Sequence, residues 1–119
     1  MKLTSEITES SLIVRLEGEL DHHSAAEVRA KIDQMIDTSE RKNLIFSFQG
    51  VTFMDSAGIG VVMGRYNKMK EIGGKVMVSE CNDYAKRILE MSGLFTIAPY
   101  CGTVEQAIKT CGEMQSHME

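Results

Sequence analysis

Two spacings of apolar residues take turns along this chain, and together they predict strands alternating with helices. Leu3 to Thr8 and Leu12 to Leu16 read as strands, joined as a hairpin across Glu9-Ser10-Ser11. From Asp21 to Thr38 the spacing becomes helical, with Ala25, Val28, Ile32, Met35 and Ile36 on one face. Ser24 and Glu27 supply a capping-box pattern near its start. Leu44-Ile45-Phe46-Ser47-Phe48 is an apolar run without alternation, as in a strand covered on both faces. A second helix is expected from Ser56 to Glu71, with Ile59, Val62, Met63, Tyr66 and Met69 at helical spacing and Gly73-Gly74 as its stop. Lys75 to Ser79 reads as another buried strand, Asn82 to Met91 as a third helix ending at Gly93, and Phe95 to Ala98 as a last strand halted by Pro99. Thr103 to Cys111 closes the series as a helix with a Thr-x-x-Gln cap. Residues 1–114 form one domain on this reading, and 115–119 a frayed tail.

The resulting order, ββαβαβαβα, is that of an α/β protein with a mixed, mostly parallel sheet flanked by helices. In such sheets function gathers in loops beyond the carboxyl ends of the strands. Gly18-Glu19-Leu20-Asp21 and Met54-Asp55-Ser56 are two loops of that kind, and they are expected to be neighbours. Ser56 stands where a strand or loop turns into a helix, so its oxygen is expected to cap the first turn. The N–H groups and dipole at a helix start also tolerate negative charge, which makes Ser56 a candidate phosphate carrier.

Composition narrows the class. A chain of 119 residues, 43% hydrophobic and 25% charged with a single proline, suits one globular domain with a core of its own. Thirteen basic against seventeen acidic residues give a net charge of −4, which argues against direct binding of nucleic acid. No segment approaches the roughly 20 apolar residues a bilayer span needs, and Met1-Lys2-Leu3-Thr4-Ser5-Glu6 lacks a signal core. A cytoplasmic protein without membrane contact is the expectation. Cys81, Cys101 and Cys111 are odd in number and lack C-x-x-C spacing, so they read as reduced, partly buried thiols. Nine methionines suggest plastic packing, most of it at helical core positions.

Other chemistries fit the residues less well. Gly58-Ile59-Gly60 opens a dinucleotide fingerprint, with Glu80 about 20 residues on as a ribose-binding acid, but Met63 stands where the third glycine belongs. The stretch Gln49 to Asp55 also separates these glycines from the preceding strand. The glycines otherwise serve close packing or leave bare backbone for a partner. A nucleophile elbow would need glycine where Met54 stands. His22-His23 are adjacent, and neighbouring helical residues diverge by roughly 100°, unlike a metal-chelating i, i+4 pair. No metal ligand or cofactor is assigned. Asp21 either caps its helix or meets a partner, and Arg65, Lys68, Lys86 and Arg87 read as solvated helix faces.

Four motifs then carry a family resemblance across nearly the whole chain. Gly18-Glu19-Leu20-Asp21-His22-His23, Phe53-Met54-Asp55-Ser56-Ala57-Gly58-Ile59-Gly60, Gly64-Arg65-Tyr66 and Met91-Ser92-Gly93-Leu94-Phe95 resemble the STAS domain, and within it the anti-sigma factor antagonists of bacterial sporulation. The resemblance implies a STAS fold and a partner-switching module with no catalysis of its own. Unmodified, such a protein binds an anti-sigma factor that is also an ATP-dependent serine kinase, and so frees the sigma factor. The kinase phosphorylates the serine of the Asp-Ser-x-Gly motif, the antagonist lets go, and a serine phosphatase reverses the step. Carried onto this chain, Ser56 is the phosphoacceptor, and Asp21, Asp55, Ala57, Gly58, Ile59 and Gly60 belong to the partner surface. Ala57 departs from a common second serine, leaving one hydroxyl in the motif. The same mechanism in a general stress-response pathway is the alternative, and a small nucleotide-binding protein is a further one.

Overall fold

The computed structural model describes the backbone of residues 1–117 and the side chains of residues 1–112. Strands β1 (Lys2–Ile7) and β2 (Ser11–Leu20) form the expected antiparallel hairpin, with Ile7 opposite Leu12. Thr8 closes its turn, since Thr8 N–H donates to the Ser11 carbonyl at 2.8 Å. Helix α1 (Ala25–Ser39) then leads to β3 (Asn43–Met54), α2 (Ser56–Glu71), β4 (Lys75–Ser79), α3 (Asp83–Met91), a short β5 (Tyr100–Cys101) and α4 (Val104–His117). The sheet order is β1-β2-β3-β4-β5, and every pair after the hairpin is parallel. This is the α/β order expected from the sequence.

Both faces of the central strands are covered, which explains their unbroken apolar runs. Leu12, Val14, Leu16, Leu44, Phe46, Phe48, Val76 and Val78 face one cluster with Val28, Ile32, Val61, Val62, Met69 and Leu89 from α1, α2 and α3. Ile13, Ile45 and Met77 meet Val104, Ala107 and Cys111 of α4 on the other face. The three cysteines are free; burial pushes the Cys81 thiol up to about 12 and the Cys111 thiol up to about 11, so both stay protonated. Among the described residues Met69 is the one fully buried helical methionine, Met35 and Met63 pack half-buried on the same cluster from α1 and α2, Met54 and Met77 belong to strands, and Met91 is 81% exposed. Three of the seven described methionines thus pack on the core from helices, fewer than the expected majority.

Four local expectations change. First, β3 does not stop at Phe48 but runs on to Met54, so Gln49 to Met54 is strand and no loop separates it from the glycines. Register shifts against β2, between Arg15 and Glu17 and between Gly18 and Glu19, absorb extra residues of β3. Gly50 lets the strands close there, because a Cβ at that position would lie 2.9 Å from the Leu16 carbonyl oxygen. Second, α1 starts at Ala25, and Ser24 makes no side-chain cap bond. Its hydroxyl instead donates to the Glu19 carbonyl at 2.9 Å and accepts from Asp21 N–H at 3.1 Å, so the capping box is not formed.

Third, Leu94–Thr96 is a single 3₁₀ turn rather than a strand, and β5 follows Pro99 instead of preceding it. Leu94 and Ala98 are both fully buried at a spacing of four, and Ala98 N–H donates to the Leu94 carbonyl at 2.8 Å. A short apolar run carries no period long enough to separate these cases. Fourth, Arg65 and Lys68 are not a solvated face: α1 and α2 pack side by side, Arg65 is 8% exposed, and the two cations pair with Asp33 and Asp37 across the interface. The closing helix keeps its cap, with Gln106 N–H donating to Thr103 Oγ1 at 3.1 Å. Three residues of the expected tail, 115–117, fall within α4, and 118–119 lie outside the described residues.

The Gly73-Gly74 stop forms as a Schellman motif. Gly74 N–H donates to the Met69 carbonyl at 2.8 Å, Gly73 N–H to that of Lys70 at 3.0 Å, and Gly73 takes φ +75°. A Cβ on Gly74 would overlap the Lys42 carbonyl oxygen, backbone that cannot move without disturbing the start of β3. Gly74→Ala is therefore expected to cost at least about 2 kcal/mol in urea unfolding. Among the described residues no helix is long and apolar enough to cross a membrane.

Candidate functional site

Strand β2 runs four residues past its expected end at Leu16, so Gly18 to Leu20 is strand rather than loop. β2 and β3 end together, with Leu20 opposite Met54, and bring the segments that begin at Asp21 and Asp55 to one place. Asp55 N–H donates to the Leu20 carbonyl at 3.3 Å, extending the ladder by one bond. The Asp55 carboxylate then ties the two segments at their tips. Its Oδ2 accepts from His22 N–H at 3.2 Å and lies 3.1 Å from His22 Nδ1, while Oδ1 accepts from Ala57 N–H at 2.8 Å. The bond to the His22 ring, then that from Ala57 N–H, holds the Asp55 carboxyl below its usual range.

Asp55, not Ser56, is the N-cap of α2. Its backbone is extended (φ −115°, ψ −170°) and its side chain accepts from the first turn, whereas Ser56 is already the first helical residue. In an Asp-Ser pair either oxygen is able to cap; the extended backbone at the end of β3 gives the geometry to Asp55. The Ser56 side chain is left exposed, and among the described residues no group hydrogen-bonds its hydroxyl.

Around it the expected partner residues sort by burial. Asp21 is half-buried, and its Oδ1 accepts from His23 N–H at 2.9 Å and Ser24 N–H at 3.1 Å, shaping the turn before α1. Ala57 and Ile59 are half-buried and Gly60 is exposed with open space where a Cβ would stand. Gly58 is buried: a Cβ there would meet the Met54 side chain at 2.5 Å, so this glycine serves close packing of α2 on β3 and offers no surface. Glu80, the acid a dinucleotide site would need, accepts from Ser47 Oγ at 2.6 Å and lies 3.6 Å from Arg15 Nη1, among strand positions that alternate away from α2. Neither His22 nor His23 bonds Ser56, so among the described residues no nucleophile–base pair is formed.

Sequence reasoning missed two features of the site. The spacing of His22 and His23 argues only against a metal pair and gives His22 no role, yet it is the cross-loop partner of Asp55. Phe53 and Tyr84 also flank the site, with Tyr84 Oη donating to the Met54 carbonyl at 3.2 Å. Tyr84 lies off the buried stripe of α3, which is Ala85 and Leu89, and that position was the available signal. Asp55→Ala is expected to lower the melting temperature at neutral pH by removing cap and tie together. A carboxyl with a lowered folded pKa contributes stability above the ordinary carboxylate value of about 3.9 and loses it as the pH falls through the folded value. The gap between variant and parent should thus narrow in melts taken below about pH 4.

Known proteins share this sequence and geometry. The chain is 44% identical over 88 residues to the anti-sigma F factor antagonist of Paenibacillus polymyxa, covering 74% of this chain and 75% of that protein. It is 34% identical over 104 residues to the anti-sigma F factor antagonist of Lysinibacillus sphaericus, covering 86% of each. The solved structure of the anti-sigma factor antagonist SpoIIAA in its unphosphorylated form superposes with a TM-score of 0.77 at 31% identity, over 92% of this chain and 95% of that one. Phosphorylated SpoIIAA, a Bacillus cell fate determinant, gives 0.70 at 31% identity, over 92% and 98%. The family model described as STAS domain matches residues 2–107, and with the fold and relatives above it shows that the chain belongs to the STAS-domain family.

Proposed function

We propose that this protein is an anti-sigma factor antagonist that works by partner switching, with Ser56 as its reversible tag. The observation that carries the reading is the state of that hydroxyl: exposed, free of hydrogen bonds among the described residues, and set at the start of α2 beside a neighbouring acid that already caps the helix. A kinase can reach it, and the fold does not need it. Unphosphorylated, the surface of Asp21, Asp55, Ala57, Ile59 and Gly60 docks on an anti-sigma factor, which thereby releases its sigma factor. Phosphorylation adds about −1.5 to −2 charges and three acceptor oxygens at the centre of that surface. Asp21 and Asp55 repel the new charge, and the docked partner meets bulk where it had fitted a hydroxyl. A phosphatase restores the binding form.

That SpoIIAA resembles this chain in both its phosphorylated and unphosphorylated forms supports a change of surface rather than of fold. The two anti-sigma F relatives support the sporulation-type reading, and the anti-sigma-B factor antagonist of Bacillus subtilis is a more distant match, 28% identical over 86 residues. On this reading the protein is a substrate and binding partner rather than an enzyme, and acts in the cytoplasm, where ATP and sigma factor are. Incubation with a purified anti-sigma F factor and ATP, followed by mass spectrometry, should place one phosphate on Ser56. Phosphate elsewhere, or turnover of ATP by this protein alone, would overturn the reading.

A further inference from the structure

Two exposed aromatic rings stand together beside Ser56. Phe53 is 43% and Tyr84 52% exposed, and their rings stack with centroids 6.5 Å apart and planes 30° from parallel. They come from different elements, the last turn of strand before the site and the first turn of α3. Their placement is held by main-chain bonds: Tyr84 Oη donates to the Met54 carbonyl at 3.2 Å, and Asn82 Nδ2 to that of Val51 at 3.2 Å. Asn82 also caps α3, its Oδ1 accepting from Ala85 N–H at 2.8 Å. The rings are thus fixed relative to the strand end that presents Ser56, two residues beyond the bonded carbonyl. Neither contributes to the core, where α3 sends Ala85 and Leu89.

Rigid, half-exposed aromatics lose little entropy on docking and are enriched among the residues that dominate binding energy. We infer that Phe53 and Tyr84 extend the Ser56 surface into a docking platform for the anti-sigma factor kinase, which would cover them with an apolar pocket rimmed by basic side chains. The occupant follows from continuity: Tyr84 is bonded to the carbonyl two residues before Ser56 and stacks on Phe53, three residues before it, so the rings adjoin the surface a protein handling that hydroxyl must approach. The basic rim follows from the carboxylates beside them, Asp55 and the exposed Asp83. This inference rests on the partner-switching reading above.

The test compares the parent protein, Phe53→Ser/Tyr84→Ser, Tyr84→Lys and Tyr84→Phe against a purified anti-sigma F factor, by calorimetry and by steady-state phosphorylation. The double serine variant and Tyr84→Lys should raise the Kd and the KM by about tenfold or more, with kcat kept and phosphate still on Ser56. Tyr84→Phe, which keeps the ring and loses only the bond to Met54, should bind within about twofold of the parent. Tyr84→Lys changes a half-exposed helical position and carries the prediction if the double variant does not fold. Unchanged binding by Tyr84→Lys, with the parent phosphorylated on Ser56, would overturn the platform and leave the switching reading standing. A loss in Tyr84→Phe as large as in Tyr84→Lys would make Tyr84 a positioning residue and overturn docking by its ring. A parent that neither binds nor is phosphorylated would overturn the switching reading itself.

Discussion

Ser56→Glu should weaken binding to an anti-sigma F factor by about 5- to 150-fold, a coupling of about 1–3 kcal/mol, while the protein melts close to its native temperature. The separation of the two effects follows from the division of labour in the Asp-Ser pair. Asp55 accepts from Ala57 N–H and caps α2, so altering Ser56 removes no intramolecular hydrogen bond. Negative charge at the first helical residue is also favoured by the helix dipole. The cost therefore falls on the complex, where charge and bulk meet a partner fitted to a hydroxyl. Ser56→Ala should bind like the parent, resist the kinase and shift stability by less than about 0.5 kcal/mol, where loss of a true serine cap costs about 1. Calorimetry beside thermal melts checks both variants. A strongly destabilised Ser56→Ala would return Ser56 to the structural role that the sequence pattern suggested.

Asp33→Ala should cost about 3 kcal/mol, and Arg65→Met less, about 1–2 kcal/mol. The asymmetry comes from burial. Arg65 has a side chain 10% exposed at the α1–α2 interface, and Asp33 keeps 36% of its surface in water. Arg65 Nε lies 2.9 Å from Asp33 Oδ1, but its N–H is not aimed at that oxygen, and Nη1 has no partner among the described residues. The pair is thus held by charge rather than by a well-formed hydrogen bond. Burial lowers the pKa of the guanidinium, Asp33 opposes that shift, and Arg29 adds to it. Removing Asp33 strands a cation in the interface, while removing Arg65 leaves Asp33 Oδ1 buried without a partner but the rest of that carboxyl in water. Urea unfolding of the two single variants should show the difference directly.

Much of this was legible in the chain. The αβ alternation, the pairing of the hairpin, α2 and β4 are legible at or near their observed bounds, because each carries a long period or a clear stop, whereas β2 outruns its expected end by four residues. The meeting of the Asp21 and Asp55 segments followed from the rule about carboxyl ends of parallel strands. What failed did so for local physical reasons. Gln49 and Gly50 break the apolar run of β3, yet a bulge carries the strand past them. Leu94 to Ala98 is too short to reveal its period. Arg65 looks like any helical cation until α1 is placed against α2. Ser24 and Ser56 both resemble caps, and each lost that role to hydrogen bonds its neighbours supplied.

Sequence alone determined the layered α/β architecture, the family resemblance and the identity of the serine at the start of α2, since these rest on period, glycine stops and motif spacing along a single strand or helix. Only the tertiary structure decided which residue caps that helix, that Gly58 packs inward, that His22 ties to Asp55 across 33 positions, and that Phe53 stacks on Tyr84. Those outcomes depend on which groups from distant segments compete for the same donor or the same space, and that competition exists only once the strands have paired.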